Sequence, residues 1–262
     1  MARLGLRAAA LVYLAFLLVL PVGLVSWRTF EHGLEPVWAA LTEANAVHAL
    51  QLTVTVAGSA VVCNTVFGVG MALLLVRREF PGKRVLDAVI DLPIAVSPVV
   101  VGLALVLVFG RNTAVGGWFA DRGLDIIFAA PGMVLATIFV SLPLVVRAVG
   151  PVLEEIGTEQ EQAAWTLGAS SLQTFRRITV PAIRWALVFG VVLTLARGLG
   201  EYGAVAVVSG RLVGQTQTAT LFVEERFQSF DQPAAYAMAF ALAAMAIVVL
   251  LATNLLRPRE EA

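Results

Sequence analysis

The stretch EQAAWTLGASSLQTFRRITVP, from Glu161 to Pro181, is a polar, helix-forming segment that separates two long apolar runs. Thr158 followed by Glu161 predicts a capping box that starts a short helix, and Gly168 interrupts this helix. An ordinary loop between membrane helices does not carry so much helical structure. The segment therefore predicts a helical element outside the membrane, placed between two spans.

The second half of the stretch predicts another helix. Ser170 with Gln173 forms a capping pair for it, and we expect this helix to end before Pro181. Earlier in the stretch, small residues lie on one side of the segment: Ala163, Ala164 and Gly168. The backbone of another protein can approach closely there.

The composition is that of a membrane protein. Hydrophobic residues make up 59% of the chain and charged residues 14%, with a mean hydropathy of +0.88, against about 25% charged residues in a soluble domain. Net charge is zero, which argues against nucleic-acid binding. His32 and His48 fall in one predicted loop with no cysteine nearby, so no structural zinc site is expected. Cys63, the only cysteine, is expected to be a small buried residue within a span.

Six apolar runs approach or exceed the roughly 20 residues that cross a bilayer. They are residues 8–27, 49–76, 92–110, 126–146, 184–208 and 232–256. The first run follows two arginines as a signal peptide would, but its apolar part is longer than a signal core, so we expect a retained helix.

The positive charges predict the orientation. Twelve of the 18 Lys and Arg residues fall on one side of the predicted spans. They are Arg3, Arg7, Arg77, Arg78, Lys83, Arg84, Arg147, Arg176, Arg177, Arg184, Arg257 and Arg259, against Arg28, Arg111, Arg122, Arg211 and Arg226 on the other side. This excess favours both termini, and the segment around Gly168, in the cytoplasm.

The third run carries two prolines. Pro93 and Pro98 each remove a backbone donor and bend or break a helix, and freed polar groups inside a membrane must be buried in protein or face water. Ser97 and Pro98 therefore become candidates for lining a translocation path, with the serine offering a hydroxyl or backbone N–H to an anion. The alternative is a kink that only shapes packing.

Arg197 and Glu201 are the ionisable pair of the fifth run. The i, i+4 spacing lets them pair on one helix face, and counting about 1.5 Å per residue from Arg184 places Arg197 near mid-membrane. Charges there should face the bundle interior or water. They are candidates for an anion path, and a static ion pair that holds helices together is the alternative. Asp87 and Asp91 are expected at the membrane interface.

The segment around Gly168 resembles the cytoplasmic "EAA" loop of ABC importer permeases. The family pattern is Glu-Ala-Ala, three residues, Gly, nine residues, Ile, one residue and Leu-Pro. The matching positions are Gln162, Ala163, Ala164, Gly168, Ile178, Val180 and Pro181. Gln162 replaces the usual Glu, with Glu161 directly before it, and Val180 replaces Leu. In the family this loop docks on the ATPase subunit. We call residues 158–181 the coupling segment.

The residues around Arg197 carry a second, more specific resemblance. LARGLGEYGA, residues 195–204, is similar to permeases of sulfate and molybdate importers, and the continuation through Ser209-Gly210-Arg211 and Thr216-Gln217-Thr218 is similar to the W-type subunit of sulfate/thiosulfate importers. This likeness covers about residues 48–252.

The resemblance implies an all-α membrane protein with six transmembrane helices, the type I importer permease fold and cytoplasmic coupling helices. It also implies a division of the chain into three parts. The N-terminal tail, the first helix and an outer loop would occupy residues 1–47, the permease core residues 48–252, and a short cytoplasmic tail residues 253–262. The implied location is the bacterial inner membrane, in contact with membrane lipid.

The implied function is that of a non-catalytic subunit of an ATP-driven sulfate/thiosulfate importer. The implied partners are a T-type permease, two ATP-binding subunits and a periplasmic or lipid-anchored sulfate-binding protein. The resemblance implies that the partner ATPase binds ATP and Mg²⁺ and that this chain binds no cofactor. The phosphate-binding motif G-x-x-x-x-G-K-[ST] is missing from its sequence.

Three other functions stay open at the level of sequence. A molybdate or tungstate ABC permease belongs to the same class. An ion-coupled secondary transporter usually shows internal repeats, and the two halves of this sequence show no convincing similarity. An intramembrane enzyme is disfavoured, because the sequence has no H-E-x-x-H motif and no histidine inside a predicted span.

Overall fold

The structure, a computed structural model, describes residues 2–256 and shows them as helices joined by short connections, with no β-strand in that range. The helices are α1 (Ala2–Leu14), α2 (Leu20–Phe30), α3 (Leu34–Thr42), α4 (Ala44–Arg77), α5 (Lys83–Ala95), α6 (Pro98–Phe109), α7 (Ala114–Ala120), α8 (Ala130–Ile156), α9 (Glu159–Thr166), α10 (Ser171–Thr174), α11 (Val180–Leu199), α12 (Gly203–Val208), α13 (Ala219–Gln228) and α14 (Gln232–Leu256). Arg257 and Arg259 of the charge count lie outside the described residues.

Five helical stretches are long and apolar enough to cross a membrane: Ala10–Phe30, Ala44–Arg77, Ala130–Ile156, Ser171–Leu199 and Gln232–Ala252. A bent pair of helices accounts for the sixth predicted span. The prediction of an all-helical, multi-span membrane protein is therefore confirmed.

The third predicted span is not one helix. α5 and α6 meet at an angle of 112°, because the chain turns extended at Val96 and Ser97 and Pro98 begins the next helix. Proline suits the first turn of a helix, where its missing N–H has no carbonyl to bond. Pro93 lies inside α5 and does not end it.

The fifth predicted span is displaced toward the N-terminus. A continuous helical stretch runs from Ser171 to Leu199, well before the predicted start at Arg184. It ends at Gly200, and a separate short helix, α12, begins at Gly203. The apolar run 184–208 therefore contains a helix break that hydropathy alone does not reveal.

The core is the crossing of α4, α8 and α11, where glycines bring the backbones close together. A methyl group on Gly68 of α4 would lie 2.6 Å from the Cβ of Val145 in α8. A methyl group on Gly198 of α11 would lie 3.1 Å from the Cβ of Ala57 in α4. Small residues are the usual means of close helix packing in membranes, where van der Waals contact drives association.

Buried polar side chains join α4 to α8 at the same crossing. The Asn64 side-chain amide donates to the Ser141 hydroxyl at 2.9 Å and to the Ile138 carbonyl at 3.1 Å. Asn64 and Ser141 are both fully buried. Such hydrogen bonds help to fix the register of packed membrane helices.

A charged cluster links α5 to α8. The Arg147 guanidinium contacts both Asp91 carboxylate oxygens, at 2.8 and 2.6 Å, and one oxygen of Asp87 at 2.8 Å. The two aspartates, expected only to be interfacial, thus hold the amphipathic α5 against α8.

Two further expectations are wrong. Cys63 is exposed on the isolated chain, not buried, because it points away from the crossing of α4 with α8. His48 lies within α4 rather than in a loop with His32, and its Nε2 lies 3.1 Å from the Gln215 carbonyl. Among the described residues, no group of three or more His, Cys, Asp and Glu side chains is placed to hold a metal.

The contact between α6 and α12 can be tested with two glycine variants. A methyl group on Gly102 would lie 2.7 Å from the Ala204 carbonyl and 2.8 Å from the Val207 Cβ. We expect Gly102→Ala to destabilise the protein by about 1–3 kcal/mol, the usual cost of overpacking, measured by thermal unfolding in detergent. Gly70→Ala is the control, since its methyl group would meet no atom within 4 Å. Equal melting of the two variants would contradict the packing described.

Candidate functional site: the coupling segment and the paired helix breaks

The coupling segment contains two short helices joined by a left-handed glycine. α9 spans Glu159–Thr166, and the chain reverses at Gly168, whose φ is +87°. Positive φ is a conformation that glycine adopts without steric cost. The predicted interruption at Gly168 is confirmed, and its cause is this backbone conformation.

The second predicted capping box is present, but the first is not. At α10, the Ser170 hydroxyl accepts from the Gln173 N–H, and the Gln173 side chain accepts from the Ser170 N–H. At α9, Thr158 makes no capping bond through its side chain to the backbone, and its hydroxyl accepts instead from the Gln162 amide at 2.9 Å. Glu161 does not cap α9 because its carboxylate turns inward to Arg77, at 3.2 Å.

The second helix of the segment does not end before Pro181. α10 continues through a wider π turn, Phe175–Thr179, directly into α11. Proline normally disrupts a helix because it lacks an N–H and its ring crowds the preceding turn. The π turn widens the backbone just before Pro181, so that the coupling segment and the following span form one continuous helical stretch.

The residues of the predicted coupling site do not share one environment. Glu161 is buried, whereas Gln162, Ala163, Gly168 and Pro181 are exposed. The two others, Ala164 and Ile178, are half-buried. Two of the small residues, Ala163 and Gly168, are therefore exposed, whereas the carboxylate of Glu161 is not.

Two large apolar side chains of the segment were missed by the sequence reasoning. Leu167 is 88% exposed and Trp165 51% exposed, next to the turn at Gly168. An exposed leucine alone needs no explanation. Two such side chains at the tip of a polar segment, beside exposed small residues, form a surface suited to a protein partner. Their positions just before the glycine are the signal in the sequence.

The second candidate site lies where two broken helices meet. A methyl group on Gly203, the first residue of α12, would lie 3.0 Å from the Pro98 Cβ and 3.5 Å from the Val99 nitrogen. The break before α6 and the break before α12 are therefore in direct contact. Ser97 and Pro98 lie at one break. Glu201 lies within the other break, and Arg197 lies two residues before the end of α11.

The predicted ion pair between Arg197 and Glu201 is present. An Arg197 guanidinium nitrogen lies 2.6 Å from a Glu201 carboxylate oxygen. The other carboxylate oxygen accepts from the Ala204 N–H at 2.9 Å, in the first turn of α12. The expectation that both residues share one helix face is wrong, since α11 ends at Leu199 and Glu201 lies in the break.

Exposure separates the roles of these two residues. The Glu201 side chain is 2% exposed, whereas the Arg197 side chain is 37% exposed. Glu201 also receives a backbone bond, so it stabilises the start of α12 and holds the arginine in place. The accessible part of the pair is the positive guanidinium.

The start of α6, at the other break, adds backbone donors. Ser97 makes no capping hydrogen bond with its side chain and is exposed. Pro98 has no N–H, and the N–H groups of Val99 and Val100 belong to the first turn, where helix geometry offers them no carbonyl. Anions are stabilised by such helix starts, which makes the contact of the two breaks chemically suited to a passing anion.

The sequence matches a known family. The family described as "Binding-protein-dependent transport system inner membrane component" matches residues 64–261. The chain belongs to this family. Membership sets aside the ion-coupled secondary transporter and the intramembrane enzyme as alternatives.

Relatives within this family are similar along nearly the whole chain. "Sulfate transport system permease protein CysW" of Synechocystis is 49% identical over 97% of this chain and 92% of that protein. CysW of Escherichia coli K12 is 45% identical over 94% of this chain and 85% of that protein. "Sulfate transport system permease protein CysT" of Salmonella typhimurium is 38% identical over 95% and 90%. These relatives are permease subunits, and the chain is likewise non-catalytic.

A solved structure confirms the fold. A chain of the crystal structure of a bacterial alginate ABC transporter, in complex with a periplasmic protein, superposes with a TM-score of 0.80 at 17% identity. The match covers 98% of this chain and 94% of that one. The predicted ABC permease fold is therefore correct, and at this identity the likeness extends to the fold alone.

The difference between Arg197 and Glu201 leads to a prediction about stability. Arg197→Ala leaves a buried carboxylate without its partner, which we expect to cost about 3 kcal/mol. Glu201→Gln should cost less, because the amide oxygen still accepts from Ala204 and the half-exposed arginine can contact water. Thermal unfolding of the purified protein in detergent measures both, and a larger loss for Glu201→Gln would contradict the assigned roles.

Proposed function

We propose that this chain is a permease subunit of an ATP-driven sulfate/thiosulfate importer and forms half of its translocation pathway. The observation that carries the proposal is the contact of two broken helices at Gly203 and Pro98. The partly exposed Arg197 lies near the end of one of these helices, and the other starts at Pro98 without a side-chain cap. A doubly charged tetrahedral anion needs such a combination of a fixed cation and backbone donors. The names of the relatives with 45–49% identity support the choice of sulfate.

The other half of the pathway would come from a second, related permease. The chain is more similar to the CysW relatives, at 49%, than to the CysT relatives, at 38%. This difference supports a W-type subunit that pairs with a T-type subunit. The many large apolar side chains that are exposed on the spans would then be covered by the partner or by lipid.

The ATPase would bind on the cytoplasmic side. Two ATP-binding subunits, carrying ATP and Mg²⁺, would contact the exposed part of the coupling segment around Gly168 and Leu167. A periplasmic or lipid-anchored binding protein would deliver the anion on the opposite side, with both termini of this chain in the cytoplasm. The cytoplasmic excess of Lys and Arg supports this orientation.

The substrate and the role of Arg197 can be tested in one uptake assay. Cells that lack this subunit are complemented with the wild-type chain or with the double variant Arg197→Gln/Glu201→Gln, which leaves no unpaired buried charge. We expect sulfate uptake with the wild-type chain, competed by thiosulfate, and a loss of about tenfold or more in the double variant at equal membrane abundance.

Two results would contradict this assignment. Competition by molybdate instead of thiosulfate, with no second permease in the purified complex, would favour a molybdate or tungstate permease. Full uptake by the double variant would remove Arg197 from the path and leave the ion pair as a structural contact only.

Docking of the ATPase predicts a specific effect at Gly168. Gly168→Asp adds a charged side chain at one of the exposed small residues, and we expect uptake to fall about tenfold while the protein still assembles. Gly82→Asp is a matched control, because Gly82 has a φ of +89°, is exposed and likewise has no atom within 4 Å of an added methyl group. Radiolabelled sulfate uptake compares the two, and equal uptake would count against docking at Gly168.

A further inference from the structure

Arg77, the last residue of α4, reaches across to the end of α8. Its guanidinium donates to the Leu153 carbonyl at 2.9 Å and to the Gly157 carbonyl at 2.6 Å. The last carbonyls of a helix lack partners within the helix and carry partial negative charge. Arg77 therefore ties the ends of α4 and α8 together.

The same guanidinium holds Glu161 of the coupling segment. Arg77 Nε lies 3.2 Å from one Glu161 oxygen, and the other oxygen accepts from the Thr179 hydroxyl at 2.8 Å. The side chains of Arg77 and Glu161 are only 14% and 10% exposed, and Thr179 is buried. Four elements thus meet at one carboxylate and one guanidinium: the ends of α4 and α8, the helix α9 and the π turn before α11.

The rest of α9 is loosely packed against the membrane helices. A cavity of about 680 Å³ lies between α4 and the coupling segment, lined by apolar side chains such as Leu74, Trp165 and Phe175. The hydroxyl of Thr174, also on this cavity, is buried without a hydrogen-bond partner. Because close packing is missing here, the ion pair of Glu161 with Arg77 is the polar link between α9 and the span α4 among the described residues.

We infer that Arg77, Glu161 and Thr179 form a joint that passes movements of the coupling segment to α4, α8 and α11. The inference rests on the proposed function, since an ATPase must move the segment. Glu161 is then a positioning residue and not a contact of the ATPase, as its burial requires. Coupling between distant sites is carried by packed side chains, polar networks and rigid helices. Here α11 continues from the π turn at this joint to Arg197 near its other end.

The test compares Glu161→Gln with Glu159→Gln in the complete transporter. Glu159 lies on the same helix and is exposed, and its side chain makes no ion pair or hydrogen bond in the described structure. We expect Glu161→Gln to lower the number of anions transported per ATP hydrolysed by about tenfold, with the ATPase rate and ATPase binding unchanged. Glu159→Gln should leave this ratio unaltered.

Thr179→Val is a second variant that keeps the shape of the side chain and removes only the hydroxyl donor. We expect Thr179→Val also to lower the number of anions transported per ATP hydrolysed, by a smaller factor than Glu161→Gln. If Glu161→Gln fails to assemble, Thr179→Val alone tests the inference. An unchanged ratio in both variants would overturn the inference. So would a parallel loss of ATPase binding and uptake in Glu161→Gln, because that result would make Glu161 a contact of the ATPase.

Hydrogen exchange of the full chain alone separates this inference from the proposed function. We expect Glu161→Gln to speed backbone exchange in residues 158–166 about tenfold, since the joint no longer holds α9, whereas Glu159→Gln should not. Unchanged exchange would overturn the joint. If the wild-type complex showed no ATP-dependent uptake, the proposed function would fail. The hydrogen-exchange rates would still test whether the joint holds α9.

Discussion

Glycines at the crossing of α4, α8 and α11 allow these three helices to approach so closely that they behave as one packed unit. A methyl group on Gly68 or Gly198 would collide with or press against the neighbouring helix, and in a membrane this van der Waals contact is the main source of helix association. The buried Asn64–Ser141 hydrogen bond fixes the position of α4 along α8. Both candidate sites are attached to this unit, so its rigidity is the condition for any communication between them.

The helix formed by the π turn and α11 connects the two sites directly. At its start, Thr179 and Glu161 engage Arg77, and at its end, Arg197 engages Glu201. In both pairs the carboxylate is buried. Glu161 and Glu201 therefore act on the structure around them, while the residues beside them, Gln162 and Arg197, remain open to partners or substrate. A buried ion pair is weak evidence for added stability, because the cost of removing both charges from water offsets their attraction.

Predictions from sequence succeeded where a local interaction decides the conformation. The capping box of Ser170 with Gln173 involves neighbouring residues, as does the interruption at Gly168, and both are present. The pairing of Arg197 with Glu201 was also expected from short spacing. Predictions from sequence failed where a distant residue competes for the same side chain. The carboxylate of Glu161 was expected to cap α9, but it pairs with an arginine 84 positions away in the chain. The expected helix end before Pro181 was wrong because a π turn absorbs the proline.

The sequence by itself determined the membrane class, the number of spans and the existence of a helical coupling segment, because hydropathy, charge asymmetry and capping depend on residues close together in the chain. The tertiary structure alone decided that the third and fifth spans are broken, that their breaks touch at Pro98 and Gly203, and which carboxylates point inward. Inside a membrane, a break persists only where packed neighbours satisfy or shelter the freed backbone groups. Those neighbours come from helices far apart in the chain.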